Sequence, residues 1–143
     1  GPGEVHSYFS PYESPMDAFV AAQTLLTDFE LRLRLSILAA NEPFLFYTGI
    51  GKECYTGSMV WSLKGFVKAL EKVAIKAIEF HFGNGDFESW ISCSLKDEEL
   101  AAKISSLKDH RHNDEELREK LVDAAKKRLN TLTKQVKEST KLF

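Results

Sequence analysis

The apolar positions of this chain recur at two spacings, one helical and one strand-like, and the switches between them mark out the expected elements. From Met16 to Leu26 the residues Phe19, Ala22, Leu25 and Leu26 follow helical spacing behind Ser14-Pro15, which predicts a helix. Residues 29 to 37 then alternate apolar and polar, placing Glu30, Arg32 and Arg34 on the wet face of a strand. Leucine and arginine also favour helix and no β-branched residue precedes Ile37, so a continued helix fits the same residues. Pro43 ends whatever precedes it. Phe44-Leu45-Phe46-Tyr47 and Glu53-Cys54-Tyr55-Thr56 flank Gly49-Ile50-Gly51-Lys52, predicting a β-hairpin whose glycines supply positive φ.

Beyond the hairpin the pattern is mostly helical. Ser62 is placed to cap a helix whose buried face is Leu63, Phe66, Val67, Leu70 and Val73. Residues 75 to 82 read as a helix through Ile75, Ile78 and Phe82, with a strand through Ile78, Phe80 and Phe82 as the alternative. Gly83-Asn84-Gly85 breaks that segment, and Asp86 is placed to cap a short helix carrying Phe87, Trp90 and Ile91. A second cap at Lys96-Asp97 opens a helix buried along Leu100, Ile104 and Leu107. After the polar loop Asp109-His110-Arg111-His112, Asn113 and Glu116 form a capping-box pattern. Leu117, Leu121, Ala125, Leu129, Leu132 and Val136 then run down one face of a long last helix. The fold class expected is α+β, mostly α-helical, with a small antiparallel sheet built on a hairpin near 44–56 and a long C-terminal helix. Ahead of this, Gly1-Pro2-Gly3 reads as a cloning remnant and residues 4–15 as an extended arm, leaving residues 16–143 as one globular domain.

Composition narrows the functional classes. The 143 residues are 43% hydrophobic and carry a net charge of −2, which suits one soluble domain with no global attraction to nucleic acid or anionic lipid. No apolar run reaches the length of a membrane span and no charged and apolar leader opens the chain. Cys54 and Cys93 form neither a CxxC motif nor a disulfide framework, so a cytoplasmic location is expected.

Four groups of residues invite chemistry, each beside a structural reading. His81 and Asp86, with Trp90 and Glu88 nearby, could be a general base and its orienting carboxylate, or a small-molecule or metal site across a glycine loop. Equally, Asp86 caps a helix, His81 bonds a carbonyl and the aromatics are core; no nucleophile and no third metal ligand accompany them. Asp109, His110 and His112 have metal-like spacing but also suit a solvated loop. Lys126, Lys127 and Arg128 could touch phosphates, or form a solvated helix face that also suits the helix dipole. Gln23, Leu26 and Phe29 match the Gln-x-x-Leu-x-x-Phe spacing of peptides that dock on the replication sliding clamp, although Glu30 stands where a second aromatic is usual. Gly49-Ile50-Gly51-Lys52 is too short for a phosphate loop.

Taken together, Pro43-Phe44-Leu45-Phe46-Tyr47-Thr48-Gly49, Gly57, Ser62-Leu63, Ile78-Glu79-Phe80-His81-Phe82, Gly85-Asp86-Phe87-Glu88-x-Trp90-Ile91, Asp97-x-Glu99-Leu100-Ala101 and Glu115-Glu116-Leu117-Arg118 resemble an uncharacterised, mainly archaeal domain family of unknown function. The resemblance covers roughly residues 42 to 133. It implies small cytoplasmic proteins or modules and transfers no catalytic residue. The function expected is therefore a non-catalytic protein-interaction or regulatory module, with a protein partner or a second copy of itself as ligand. No cofactor or metal is expected, nor a nucleic-acid or membrane partner.

Overall fold

The computed structural model describes residues 39–140, leaving out the side chains of residues 139 and 140. The amphipathic segment from Met16 to Ile37, with its strand-or-helix alternative, lies outside the described residues, as does the arm before it.

Two antiparallel strands, β1 (Ala39–Tyr47) and β2 (Tyr55–Ser62), form the hairpin. The sheet starts earlier and ends later than the 44–56 expected. Glu53 and Cys54 belong to the connecting loop, a 3-10 turn over Lys52–Cys54 closed where Thr48 N–H donates to the Cys54 carbonyl at 2.9 Å. Of the two loop glycines only Gly51 takes a positive φ. Pro43 does not end the strand. It sits within β1 at a register irregularity between Ala39 and Phe44, the kind of place where a missing N–H is tolerated.

A second irregularity shapes β2. Leu45 faces Met59 and Tyr47 faces Tyr55, so β1 advances two residues while β2 advances four. Gly57, at φ +86°, takes up the extra length in a conformation that a side chain would strain. Within this bulge Thr56 Oγ1 donates to the Phe46 carbonyl at 2.8 Å.

Five helices follow among the described residues: α1 (Leu63–Lys72), α2 (Ile75–Asn84), α3 (Asp86–Cys93), α4 (Glu98–Ser106) and α5 (Asp114–Thr140). Their stripes were legible from spacing. Leu63, Phe66, Val67, Leu70 and Val73 are all buried, as are Leu100, Ile104, Leu117, Leu121, Ala125, Leu132 and Val136, while Leu129 and Leu107, the latter past the end of α4, are only partly buried. Three caps also stand where expected. Ser62 Oγ accepts from Gly65 N–H at 3.0 Å, Asp97 Oδ1 from Leu100 N–H at 3.1 Å, and Asn113 Oδ1 from Glu116 N–H at 3.0 Å. The Gly83-Asn84-Gly85 break is later and sharper than expected, because α2 runs through Asn84 and only Gly85 is left-handed, at φ +73°.

The layers follow from these faces. α1 packs on the inner face of the hairpin and, on its other side, on α5; α2 packs on β1, while α4 packs against α3 and α5. Phe44, Phe46, Phe66, Phe87 and Trp90 meet between hairpin and helices, with Phe44 and Phe46 rings 4.8 Å apart and Phe66 and Phe87 5.4 Å apart. No helix among the described residues is long and apolar enough to cross a membrane.

Asp97 joins local and tertiary structure. Besides capping α4, its second carboxylate oxygen accepts from Arg128 Nε of α5 at 2.8 Å. Replacing Asp97 with Ala removes the cap and leaves Arg128 with Glu99 alone, which should cost about 2 kcal/mol in urea unfolding; Asp97→Asn, itself a good cap, should cost about half that.

Candidate functional site

His81 stands in the last turn of α2 and Asp86 opens α3, with Gly85 between them. The left-handed turn at Gly85 folds the two helices so that His81 Nδ1 and Asp86 Oδ2 lie 2.8 Å apart. The structure thus brings together the two residues that the sequence had singled out, but not with the cap expected of Asp86. Asp86 caps nothing through its side chain: Gly85 occupies the N-cap position, and the carboxylate turns back to His81. It still places negative charge at the first turn of α3, where the helix dipole favours it.

The other ring nitrogen decides what this pair can do. His81 Nε2 lies 2.8 Å from the backbone nitrogen of Tyr47 in β1. A backbone N–H only donates, so Nε2 is the bare nitrogen and Nδ1 carries the proton given to Asp86. The lone pair that a general base or metal ligand would use is already occupied. The ring is 5% exposed and set edge-on against Phe44 at 4.7 Å and Phe80 at 5.0 Å. The carbonyl partner expected for His81 is also replaced, by an amide donor on one side and a carboxylate on the other.

Trp90 makes the same kind of attachment one helix later. Its indole Nε1 donates to the Glu42 carbonyl of β1 at 2.8 Å, the side chain is 7% exposed, and its ring packs on Phe66 at 5.4 Å. It offers no open face for stacking on a ligand. Asn41 N–H donates to the Ser94 carbonyl just after α3, at 3.1 Å. Three points along β1, at Asn41, Glu42 and Tyr47, are thus tied to the α2–α3 unit. The free edge of β1 is occupied by helical groups rather than a third strand.

Glu88 works elsewhere. One of its oxygens meets Lys108 Nζ at 2.8 Å, joining α3 to the turn after α4, while the other is buried without a hydrogen-bond partner. Lys108 also lies over the Phe82 ring. A shallow groove beside these residues includes Glu79, His110, Arg111 and His112. The pKa of the Glu79 carboxyl is raised from its ordinary value by desolvation and then by the neighbouring Asp114 carboxylate. His112 is fully engaged, with Nδ1 3.1 Å from Glu116 and Nε2 2.9 Å from the Leu107 carbonyl. Among the described residues no three His, Cys, Asp or Glu side chains gather as a metal site.

Within the basic cluster on α5, Arg128 is committed to internal partners, while the two lysines make only exposed pairs. Arg128 bridges Asp97 at 2.8 Å and Glu99 at 2.7 Å, and Lys127 pairs with Asp123 at 3.0 Å. Lys126 stands 4.0 Å from Glu71 of α1. The two lysine pairs are exposed and worth little, whereas Arg128 spends its guanidinium holding α4 to α5. Gln23, Leu26 and Phe29 lie outside the described residues.

The feature that spacing did not reveal is the outer face of the hairpin. Phe44 and its register partner Val60 point inward and are buried, so Leu45 with Met59, and Tyr47 with Tyr55, point outward. Met59 and Trp61 are 48% and 52% exposed, Tyr55 is exposed, and Ile50 at the loop tip is 89% exposed. The Tyr47 and Tyr55 rings lie 5.3 Å apart across the strands. The signal in the sequence was Met59-Val60-Trp61, where a polar outer face would have put polar residues on both sides of the buried valine.

The fold and these ties define a small α+β domain in which a histidine-containing helix pair clasps a two-stranded hairpin. The chain belongs to the family of unknown function DUF5752, whose model matches residues 41–143. The match opens at Asn41, the first tied residue of β1, and extends past the resemblance to include all of α5. The comparison with curated proteins and the comparison with solved structures both returned no match.

If the clasp holds the hairpin, His81→Ala should lower stability by about 3–5 kcal/mol, since it opens a cavity and leaves the Tyr47 N–H unpaired. Asp86→Asn, which still accepts the Nδ1 proton through its carbonyl, should cost no more than about 1 kcal/mol. Chemical denaturation of the two variants checks both the size and the order.

Proposed function

We propose that this domain is a non-catalytic protein-interaction or regulatory module, and that its contact surface is the outer face of the hairpin. The observation that carries this reading is the apolar row Tyr55, Met59 and Trp61 on β2, extended by Leu45 and Tyr47 on β1 and by Ile50 at the tip. Scattered exposed apolar residues are ordinary, but a contiguous set on one side of a sheet is characteristic of a surface that meets another polypeptide. Tryptophan, tyrosine and methionine are also the residues enriched where proteins meet.

The competing reading, a ligand or catalytic site around His81, Asp86 and Trp90, draws less support. Both ring nitrogens of His81 and the indole N–H of Trp90 are spent on protein partners. The occupant favoured for the hairpin face is an amphipathic protein segment, apolar on the side it presents. A nucleic acid would find none of its usual cationic partners in that row.

A photoactivatable amino acid at Met59, introduced in cells into the full chain, should give adducts dominated by one polypeptide sequence and mapped to that position. The same probe at Glu119, on the exposed side of α5, should give none. Equal yields at the two positions would contradict the reading.

A further inference from the structure

We infer that the occupant of the hairpin face is the chain's own segment from residue 16 to residue 37, which holds the surface until an external protein displaces it. This rests on the reading of that face as an interaction surface and names what fills it. The segment joins the domain beside that face. Residue 38 leads directly into Ala39, which pairs with Ser62, the neighbour of Trp61. The segment therefore arrives at one end of the apolar row. From Trp61 to Tyr55 that row spans about 20 Å of strand, and 22 residues cover it in either form, at about 33 Å helical or about 70 Å extended.

Segment and face also match chemically. Phe19, Ala22, Leu25 and Leu26 recur in the sequence at helical spacing, and Phe29, Leu31, Leu33, Leu35 and Ile37 alternate with Glu30, Arg32 and Arg34. Such a segment needs an apolar surface and must leave its charges in water. The groove between α4 and α5 has Leu100, Ala102 and Ala124 in its lining, but a segment seated there would also meet Glu99, Lys103, Lys127 and Arg128, whose charges would lose water. The hairpin row Leu45, Tyr47, Tyr55, Met59 and Trp61 contains no charged side chain.

The family match begins at residue 41, so the segment lies outside the matched domain while the apolar face lies within it. A tether of this kind raises the local concentration of the segment to the millimolar range, so a partner from outside must bind more tightly than the segment does. That competition would make the segment a regulator of the face rather than a permanent part of its core.

Fluorescence quenching of the full chain by acrylamide tests this, with the Trp61→Phe variant supplying the signal of buried Trp90 for subtraction. Trp61 should be shielded in the native chain, and Leu31→Ser, Leu33→Ser and Leu35→Ser made together should raise its quenching constant severalfold with α-helical circular dichroism retained. Sedimentation in parallel should show the shielding persisting in monomers at the lowest measurable concentration. As a readout that needs no destabilising variant, the probe at Met59 in the purified chain should crosslink to residues 16–37 of the same molecule. Quenching unchanged by the three substitutions, or crosslinks falling elsewhere, would overturn the inference. Shielding lost on dilution would assign the face to a second copy, overturning the inference while leaving the interaction reading standing; no protein adduct at Met59 under any condition would remove both.

Discussion

The contact on which the arrangement of this domain depends is the hydrogen bond from the Tyr47 backbone N–H to His81 Nε2, held in register by Asp86 on the opposite ring nitrogen. A two-stranded hairpin alone is marginal in water, and one edge of β1 would stand open. The histidine closes that edge with a side-chain acceptor, the Trp90 indole adds a second tie at Glu42, and the Ser94 carbonyl adds a third at Asn41. Around these ties the rings of Phe44, Phe46, Phe66 and Phe87 fill the space between sheet and helices. The polar contacts fix register and the aromatic burial supplies most of the free energy, roughly 2–3 kcal/mol for each fully buried ring.

This explains why a motif that looks catalytic need not be one. A histidine oriented by a carboxylate is the first half of a general base, but the half that reacts is the remaining lone pair. In this domain that lone pair faces a backbone donor in a nearly dry, ring-lined pocket. Asp86 therefore fixes the tautomer that presents Nε2 to the Tyr47 amide. The same geometry leaves the other side of the hairpin bare, and there the apolar side chains have no cover among the described residues. The sheet face left over by the clasp is the surface on which the functional proposal rests.

Much of the fold was legible because helices advertise themselves locally. The stripes Leu63-Phe66-Val67-Leu70 and Leu117-Leu121-Ala125, and the caps Ser62, Asp97 and Asn113, each lie within a turn or two of their partners, so spacing reports them directly. What spacing could not report is where a side chain has a distant or competing partner. Asp86 had a cap's position and residue type, but His81 five residues earlier took its carboxylate. Arg128, which the sequence offered either as a phosphate contact or as part of a solvated face, is held by Asp97, 31 residues away. Trp90 reaches a carbonyl 48 residues back. The second strand was set too early because Gly57 hides a bulge, and that shift also hid Met59 and Trp61 as an outward face.

The most direct test of the clasp is the tautomer of His81, read from its two ring nitrogen-15 shifts together with the exchange of the Tyr47 amide. The account predicts a protonated Nδ1 and a bare, pyridine-type Nε2 at neutral pH, with the Tyr47 amide among the slowest to exchange. A proton on Nε2, or a Tyr47 amide that exchanges as fast as those of the hairpin loop, would contradict it.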